Sequence, residues 1–498
     1  MVTEIELKLL VSGDVITQIE QVVLPALGVA SEAKEFTLYN QYFDSPEQVL
    51  RKHHIGLRIR NKKGKYEQTL KTSGKTVAGL HQRPEFNVML ESDRLKLELF
   101  DPEIWPQDID VAELQTSIMA VFKTDFTRRE YNLKFEDGTH IELVYDKGEI
   151  KTDNQKLEIN EIELELKQGN PSILFDITAI LSDKLAVQLG NLSKAARGYM
   201  LANGRTLQPK KRDSYLNVNA LDTCESAFIK AVEYSLDYWQ HHEQCYLQNV
   251  KIKNLDGMIE GMRLMLQTLT LYLPNLQCPS LLELHKALMA QVNKWYWLEQ
   301  SLSLKELRSP RGPYRKLAKN EELMSHLRGL SEKLIKRFNP KNLINSRENL
   351  MLQLNLSRLL IDKPWRDNST SYDTTLSEHA NGWLSQGWHN VQQSMPVQSN
   401  ISARDYIFQQ TMLRQTLYNG FLLGNLFDES KEHYRAPWLD LLNGIDELKT
   451  LLFLQQKLRE SDLNDKSEGL QWNEDKIASL LSVMEQSRGF AVRVEAYW

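Results

Sequence analysis

The residues able to do chemistry in this chain come in short runs spaced two apart. "TEIELKLLV" carries Glu4, Glu6 and Lys8, and "GLRIRN" carries Arg58 and Arg60. "YEQTLK" carries Glu67 and Lys71, "QRPEFNV" Arg83 and Glu85, and "FTRREYN" Arg128 and Glu130. "HIELVYD" adds Glu142 and Asp146, and "NEIELELK" adds Glu161, Glu163 and Glu165. Arginine presents a rigid fork that matches phosphate oxygens, and lysine adds a point charge. Carboxylates do not bind phosphate directly, but hard divalent cations bridge carboxylate and phosphate oxygens. If both signs line one interior, the site suits a metal–polyphosphate complex.

Apolar residues fill the alternate positions, as with Ile5, Leu7, Leu9 and Val11. A strand sends successive side chains to opposite faces, so each run reads as a strand with one apolar and one charged face. The ordinary alternative is the solvent face of an antiparallel sandwich. Two features weigh against it. These faces concentrate Glu, Arg and Lys where a solvated face would mix in Ser, Thr, Asn and Gln. Glutamates at i, i+2 and i+4 also set like charges about 7 Å apart, which requires cations among them.

The elements that must position these groups follow. Strands are expected at Thr3–Val11, Phe36–Phe43, Gly56–Asn61, Lys65–Lys71, Arg83–Met89, Lys123–Phe135, Thr139–Asp146 and Leu157–Lys167. The segments "NKKGKY", "FEDGTH" and "YDKGEI" read as turns. Helical patches fall at Val15–Leu27, Val111–Phe122 and Pro171–Gln188. The fold class is α+β: an eight-stranded antiparallel barrel over 1–203, a Pro/Lys-rich linker over 204–220, and an all-α bundle over 221–498. With 498 residues, 41% hydrophobic and 26% charged, the chain has a globular balance, and its net charge of −5 carries no signal for nucleic acid or a membrane surface. No apolar run is long enough for a membrane span, no signal peptide is evident, and three cysteines without zinc-like spacing suit a reducing compartment. The expected location is the cytoplasm.

"EIELKL" resembles the ExExK signature of the CYTH domain, the triphosphate tunnel metalloenzymes. "LRIR", "TLK", "HQRPEF", "EIELEL" and "LSKAARGY" follow in that family's order. The resemblance covers about 1–203 and is nearest to bacterial inorganic triphosphatases that join a CYTH domain to a helical CHAD domain. It implies an eight-stranded tunnel that hydrolyses inorganic triphosphate with Mg²⁺ or Mn²⁺. It implies phosphate contacts from Arg58, Arg60, Lys71 and Arg128, supported by Lys8, Arg83, Lys194 and Arg197. Glu161 and Glu163 match one metal-binding pair, and Glu4 and Glu6 match the pair tied to a second metal and the attacking water. Glu165, Glu142 and Asp146 align less closely with the metal positions. Glu67, Glu85 and Glu130 suit the orienting of arginines. Lys8 is a candidate base beside a metal-activated water.

The helical half resembles a CHAD domain, a family that binds polyphosphate, but "NLDGMIEGMRLMLQTLTLY" puts Asp256 at the histidine position and keeps only Arg263. Positive charge gathers over 305–341, where a polyphosphate chain is a candidate partner, although a solvated helix-and-loop face is the preferred account. His241 and His242 read as packing residues. Two competing functions remain: a tunnel enzyme for nucleoside or thiamine triphosphate, and a polyphosphate-binding module without turnover.

Overall fold

The alternation of "TEIELKLLV" becomes strand β1 (Val2–Val11). The structure is a computed structural model that describes residues 2–29, 31–77, 79–396, 400–427, 430–461 and 466–498. The other strands are β2 (Ala33–Asp44), β3 (Gly56–Lys62), β4 (Lys65–Lys71), β5 (Lys75–Val77), β6 (Leu80–Leu90), β7 (Met119–Lys134), β8 (His140–Lys151), β9 (Lys156–Gln168) and β10 (Val187–Leu189). Their order is β10-β1-β9-β8-β7-β2-β3-β4-β6-β5, and β1 also pairs with β6. That pairing closes an eight-membered ring, β1-β9-β8-β7-β2-β3-β4-β6, with antiparallel neighbours throughout. The short β5 and β10 lie outside it.

Along β1, β9, β8 and the end of β7, both faces of this barrel are shielded from water. Leu7, Leu9, Leu133, Ile141, Leu143, Ile162 and Leu164 are fully buried on the outer face. They pack with helix Ile173–Lys184 and with the helical stretch beginning at Ile16. Each such leucine contributes roughly 2 kcal/mol on burial. The charged positions face inward: Lys8 is 2% exposed and Glu161 is 0% exposed. The solvent-face alternative is therefore excluded.

At one end of the barrel the inward face turns apolar. Leu38, Tyr42, Phe122, Phe126, Ile150 and Ile159 pack around Tyr199 of helix Lys194–Ala202. Gly198 allows this fit, since a Cβ there would lie 2.1 Å from the Phe122 ring.

One expected turn is absent. "YDKGEI" continues as strand within β8. A Cβ on Gly148 would meet the Asp125 carbonyl oxygen at 2.2 Å, so this glycine serves close approach to β7 rather than chain reversal.

Contacts divide the chain into Met1–Gln208 with Asn345–Asp362, and Pro209–Ile344 with Lys363–Trp498. Helix Arg347–Asp362 thus belongs to the barrel unit, where Leu350 and Leu354 join the core outside the barrel. The second unit is helical, from Cys224–Gln248 through Ser430–Glu460 and Lys466–Ala491, with Trp239, Trp297, Trp365 and Trp438 fully buried. Its three cysteines are buried and free. No helix among the described residues is long and apolar enough to cross a membrane.

Candidate active site: a charged cavity inside the barrel

Strand register decides which charges meet. Glu6 lies opposite Glu165, and Glu165 lies opposite Glu142, so three carboxylates form a row across β1, β9 and β8. One level along, Lys8 faces Glu163. Glu4 pairs with Arg83 across β1 and β6, and Lys71 with Glu85 across β4 and β6. These side chains line a cavity of about 280 Å³ together with Arg58, Arg60, Arg128 and Lys194. Of the residues expected from sequence, Asp146, Glu161 and Arg197 lie behind the cavity wall.

Those three belong to a dense ionic lock. Arg128 donates to Asp146 through Nε and Nη2, both at 2.7 Å, and to Glu163 at 2.9 Å. Lys194 pairs with Asp146 at 2.7 Å, with Glu163 at 3.0 Å and with Glu161. Lys8 pairs with Glu161 at 3.2 Å and with Glu163, and Arg197 with Glu161. Burial disfavours the Glu163 anion, yet Lys194, Lys8 and Arg128 hold its carboxyl well below the usual range. Burial would also lower Lys8, but Glu161, Glu163 and Glu6 keep it above the ordinary lysine value. These carboxylates favour the ammonium form of Lys8. Gly190 makes room for it: a Cβ there would sit 2.7 Å from Lys8 Cγ.

A second group is looser. Lys71 pairs with Glu4 and, at 3.0 Å, with Glu85, while Arg58 reaches Glu85 at 3.6 Å. Burial pushes Glu4 up to about 7, with Lys71 opposing and Glu6 and Glu85 adding to the rise. Glu85 is buried too, but Lys71 and Arg58 hold it down at about 2. Glu85 thus bridges Lys71 and Arg58; Glu67 lines the cavity, and Glu130 accepts from Asn132 at 3.1 Å.

Two guanidiniums, Arg60 and Arg83, remain short of acid, and Arg58 keeps an unpartnered Nε beside its Glu85 contact. Arg60 donates to the neutral Asn40 at 2.9 Å, and burial, Arg58 and Arg128 lower it to about 10. Arg83 makes no ion pair among the described residues, and the Nε atoms of Arg58 and Arg83 are buried without a partner. An anion relieves all three.

For a metal, one carboxylate set converges among the described residues, and a second lies in register without its oxygens gathered as closely. Asp146, Glu161 and Glu163 bring ligand oxygens within 4.8 Å of one another. Four cations already occupy them, and a divalent ion would have to displace these. The row Glu6, Glu142 and Glu165 is less compensated: Lys167 meets Glu165 at 2.6 Å and Glu142 at 3.7 Å, and Lys8 approaches Glu6 only to 3.9 Å. Burial raises Glu165, with Glu142 and Glu6 adding to the rise against Lys167. Crowded carboxylates short of positive charge fit a hard cation.

The ring is closed and antiparallel, with ExExK on its first strand and a basic patch inside. Residues 3–199 match the CYTH domain. A Haemophilus influenzae protein described as an inorganic triphosphatase is 35% identical over 208 residues, 42% of this chain. The aligned segment spans 57% of that relative's length. Among solved structures, the CHAD domain of Ricinus communis is 14% identical with a TM-score of 0.47, over 58% of this chain and 99% of that one. A Hippeastrum protein described as an adenylyl cyclase candidate with a dominant triphosphatase activity is 18% identical with a TM-score of 0.31, over 41% of this chain and 97% of that one.

Sequence reasoning passed over several residues at the CYTH cavity. Arg51, His54, Tyr42, Thr69, Asn87, Ser193 and Tyr199 also line it. Arg51 and His54 lie between strands, where no alternation marks a face. In the helical unit, a cavity of about 810 Å³ has Asp256 on its wall. Its Arg263 is bound to Glu299 at 2.5 Å and Arg414 to Asp446 at 3.0 Å, so these charges are already met. His242 packs under Gly257, with Nδ1 2.9 Å from the Tyr238 carbonyl oxygen.

Proposed function

We propose that the CYTH cavity hydrolyses inorganic triphosphate to pyrophosphate and phosphate. The observation that carries this reading is the split in charge compensation. Arg60 and Arg83, with the Nε of Arg58, converge with too little acid, beside the row Glu6, Glu165 and Glu142 with too little base. A linear phosphate anion satisfies the first set and a divalent cation, Mg²⁺ or Mn²⁺, the second. The name of the Haemophilus influenzae relative supports the same substrate.

Glu6, Glu142 and Glu165, with Glu163 at their edge, would hold the cation. Bound there, it neutralises phosphate oxygens and lowers the pKa of a water. The guanidiniums of Arg58, Arg60 and Arg83 grip the chain, and Lys8, Arg128 and Lys194 hold positive charge along the facing wall. Such positioning supplies most of the catalysis in phosphoryl transfer, and no protein nucleophile is required. In the step itself a water oxygen bonds to the terminal phosphorus, the bridging P–O bond breaks, and one water proton leaves. Glu4, raised by burial and by its neighbours Glu6 and Glu85 against Lys71, is the carboxylate that would take that proton. Three free cysteines are consistent with work in the cytoplasm.

The test is phosphate release from triphosphate with Mg²⁺, Mn²⁺ or EDTA, beside ATP, thiamine triphosphate and long polyphosphate. Metal-dependent release chiefly from triphosphate, lost in Glu165→Gln and Arg58→Ala, is expected. Tight triphosphate binding with no release under any metal would replace the hydrolase with a binding module.

A further inference from the structure

We propose that Arg51 is a further substrate-binding residue: with Arg83, it holds one end of the triphosphate at the mouth of the barrel cavity. This inference rests on the triphosphate reading above and names a contact beyond the interior cluster. Arg51 lies in the short helical turn Val49–Lys52 after β2, is exposed, and lines the same cavity as Arg58 and Arg83.

The turn is built to hold it still. Asp44, fully buried at the end of β2, accepts the backbone N–H groups of Ser45 at 2.8 Å and of Leu50 and Arg51 at 2.9 Å. The same carboxylate accepts the Tyr199 hydroxyl at 2.8 Å. The Arg51 guanidinium carbon lies 5.4 Å from the centre of the Tyr199 ring, within cation–π range. Gln48 and His54 bracket the turn at φ 57° and 58°, a left-handed conformation that non-glycine residues rarely hold. A solvated arginine needs none of this support.

What the support presents is an unmatched charge. Arg51 makes no ion pair among the described residues. It shares the cavity lining with Arg83, which is equally without one among the described residues and whose Nε is buried and unpartnered. Burial lowers Arg83, and the charge of Arg51 lowers it further against Glu6 and Glu4. Two fixed cations brought together at an opening repel each other until an anion lies between them. A terminal phosphate group, with several oxygens and more than one charge, fits both forks at once.

The experiment compares wild type, Arg51→Ala and Arg51→Lys in calorimetric binding of triphosphate without added metal, and in kcat/KM with Mg²⁺. Arg51→Ala is expected to raise Kd about tenfold and lower kcat/KM about tenfold, mainly through KM. That loss corresponds to about 1.4 kcal/mol. Arg51→Lys should recover part of it, and the melting midpoint should stay within a degree or two. Unchanged Kd and KM in Arg51→Ala overturn the inference. So does a loss matched by a fall in melting midpoint and not recovered by lysine, which marks a structural role. If wild type binds triphosphate without cleaving it and Arg51→Ala binds tenfold more weakly, the hydrolase reading fails and the Arg51 contact stands. If wild type cleaves and Arg51→Ala matches it, the reverse holds.

Discussion

Asp146→Asn tests the ionic lock behind the cavity without relying on any assigned activity. Asp146 is fully buried and accepts two bonds from Arg128 at 2.7 Å, with Lys194 also at 2.7 Å. The asparagine keeps the shape and one acceptor oxygen but deletes the charge that balances two buried cations. Removing one partner of a buried, hydrogen-bonded ion set costs about 3–5 kcal/mol, because the remaining charges stay desolvated. For a unit of this size each kcal/mol lowers the melting midpoint by about 2–4 °C, so the fall should be about 6–20 °C. Hydrogen exchange by mass spectrometry assigns the loss to the barrel, since the amides of β7, β8 and β9 should lose protection while helical-unit peptides keep theirs. The measurement is made in EDTA and again with Mg²⁺. If Asp146 serves as a metal ligand instead, the variant loses little relative to wild type in EDTA, and the difference appears only with Mg²⁺. A destabilisation below about 1 kcal/mol in EDTA would refute the lock.

Two further outcomes follow from single contacts. Gly190→Ala places a methyl 2.7 Å from Lys8 Cγ and must displace that stem from Glu161 and Glu163; phosphate release from triphosphate should fall at least tenfold while the circular dichroism spectrum stays that of wild type, and full activity would show that Lys8 need not be fixed. Glu85 is held at about 2 against an ordinary 4.5, so its contribution of about 3 kcal/mol is present above pH 4.5 and lost as pH falls through about 2. Glu85→Gln should therefore be less stable than wild type in urea at pH 6, by a margin that shrinks steadily below pH 4.5. A margin independent of pH would dissociate Glu85 from Lys71 and Arg58.

Much of the barrel is legible in the order of residues because alternation is local. Glu4, Glu6 and Lys8 share a face whatever surrounds them, and the same holds for Arg58 with Arg60 and for Glu161 through Glu165. The ordered motifs that resemble the CYTH family are legible for the same reason. Gly148 shows where local reading stops, since a glycine that permits close approach of β8 to β7 looks the same as one that turns the chain.

Tertiary structure decided the rest. Period-two alternation says which residues share a face but not which face is dry, and only closure of β1 on β6 turned the charged faces inward. Register then sorted the charges, locking Asp146 and Glu161 among cations while leaving Arg60 and Arg83 short of acid, a distinction that spacing along one strand does not contain. Arg51 and Tyr199 joined the cavity from a turn and a helix whose side chains follow no strand period. Helix Arg347–Asp362 carries an apolar stripe that reads alike whichever core receives it, and only folding placed Leu350 and Leu354 beside the barrel. Sequence settled the residue types and their local facing, and long-range pairing settled which charges are met and which await a ligand.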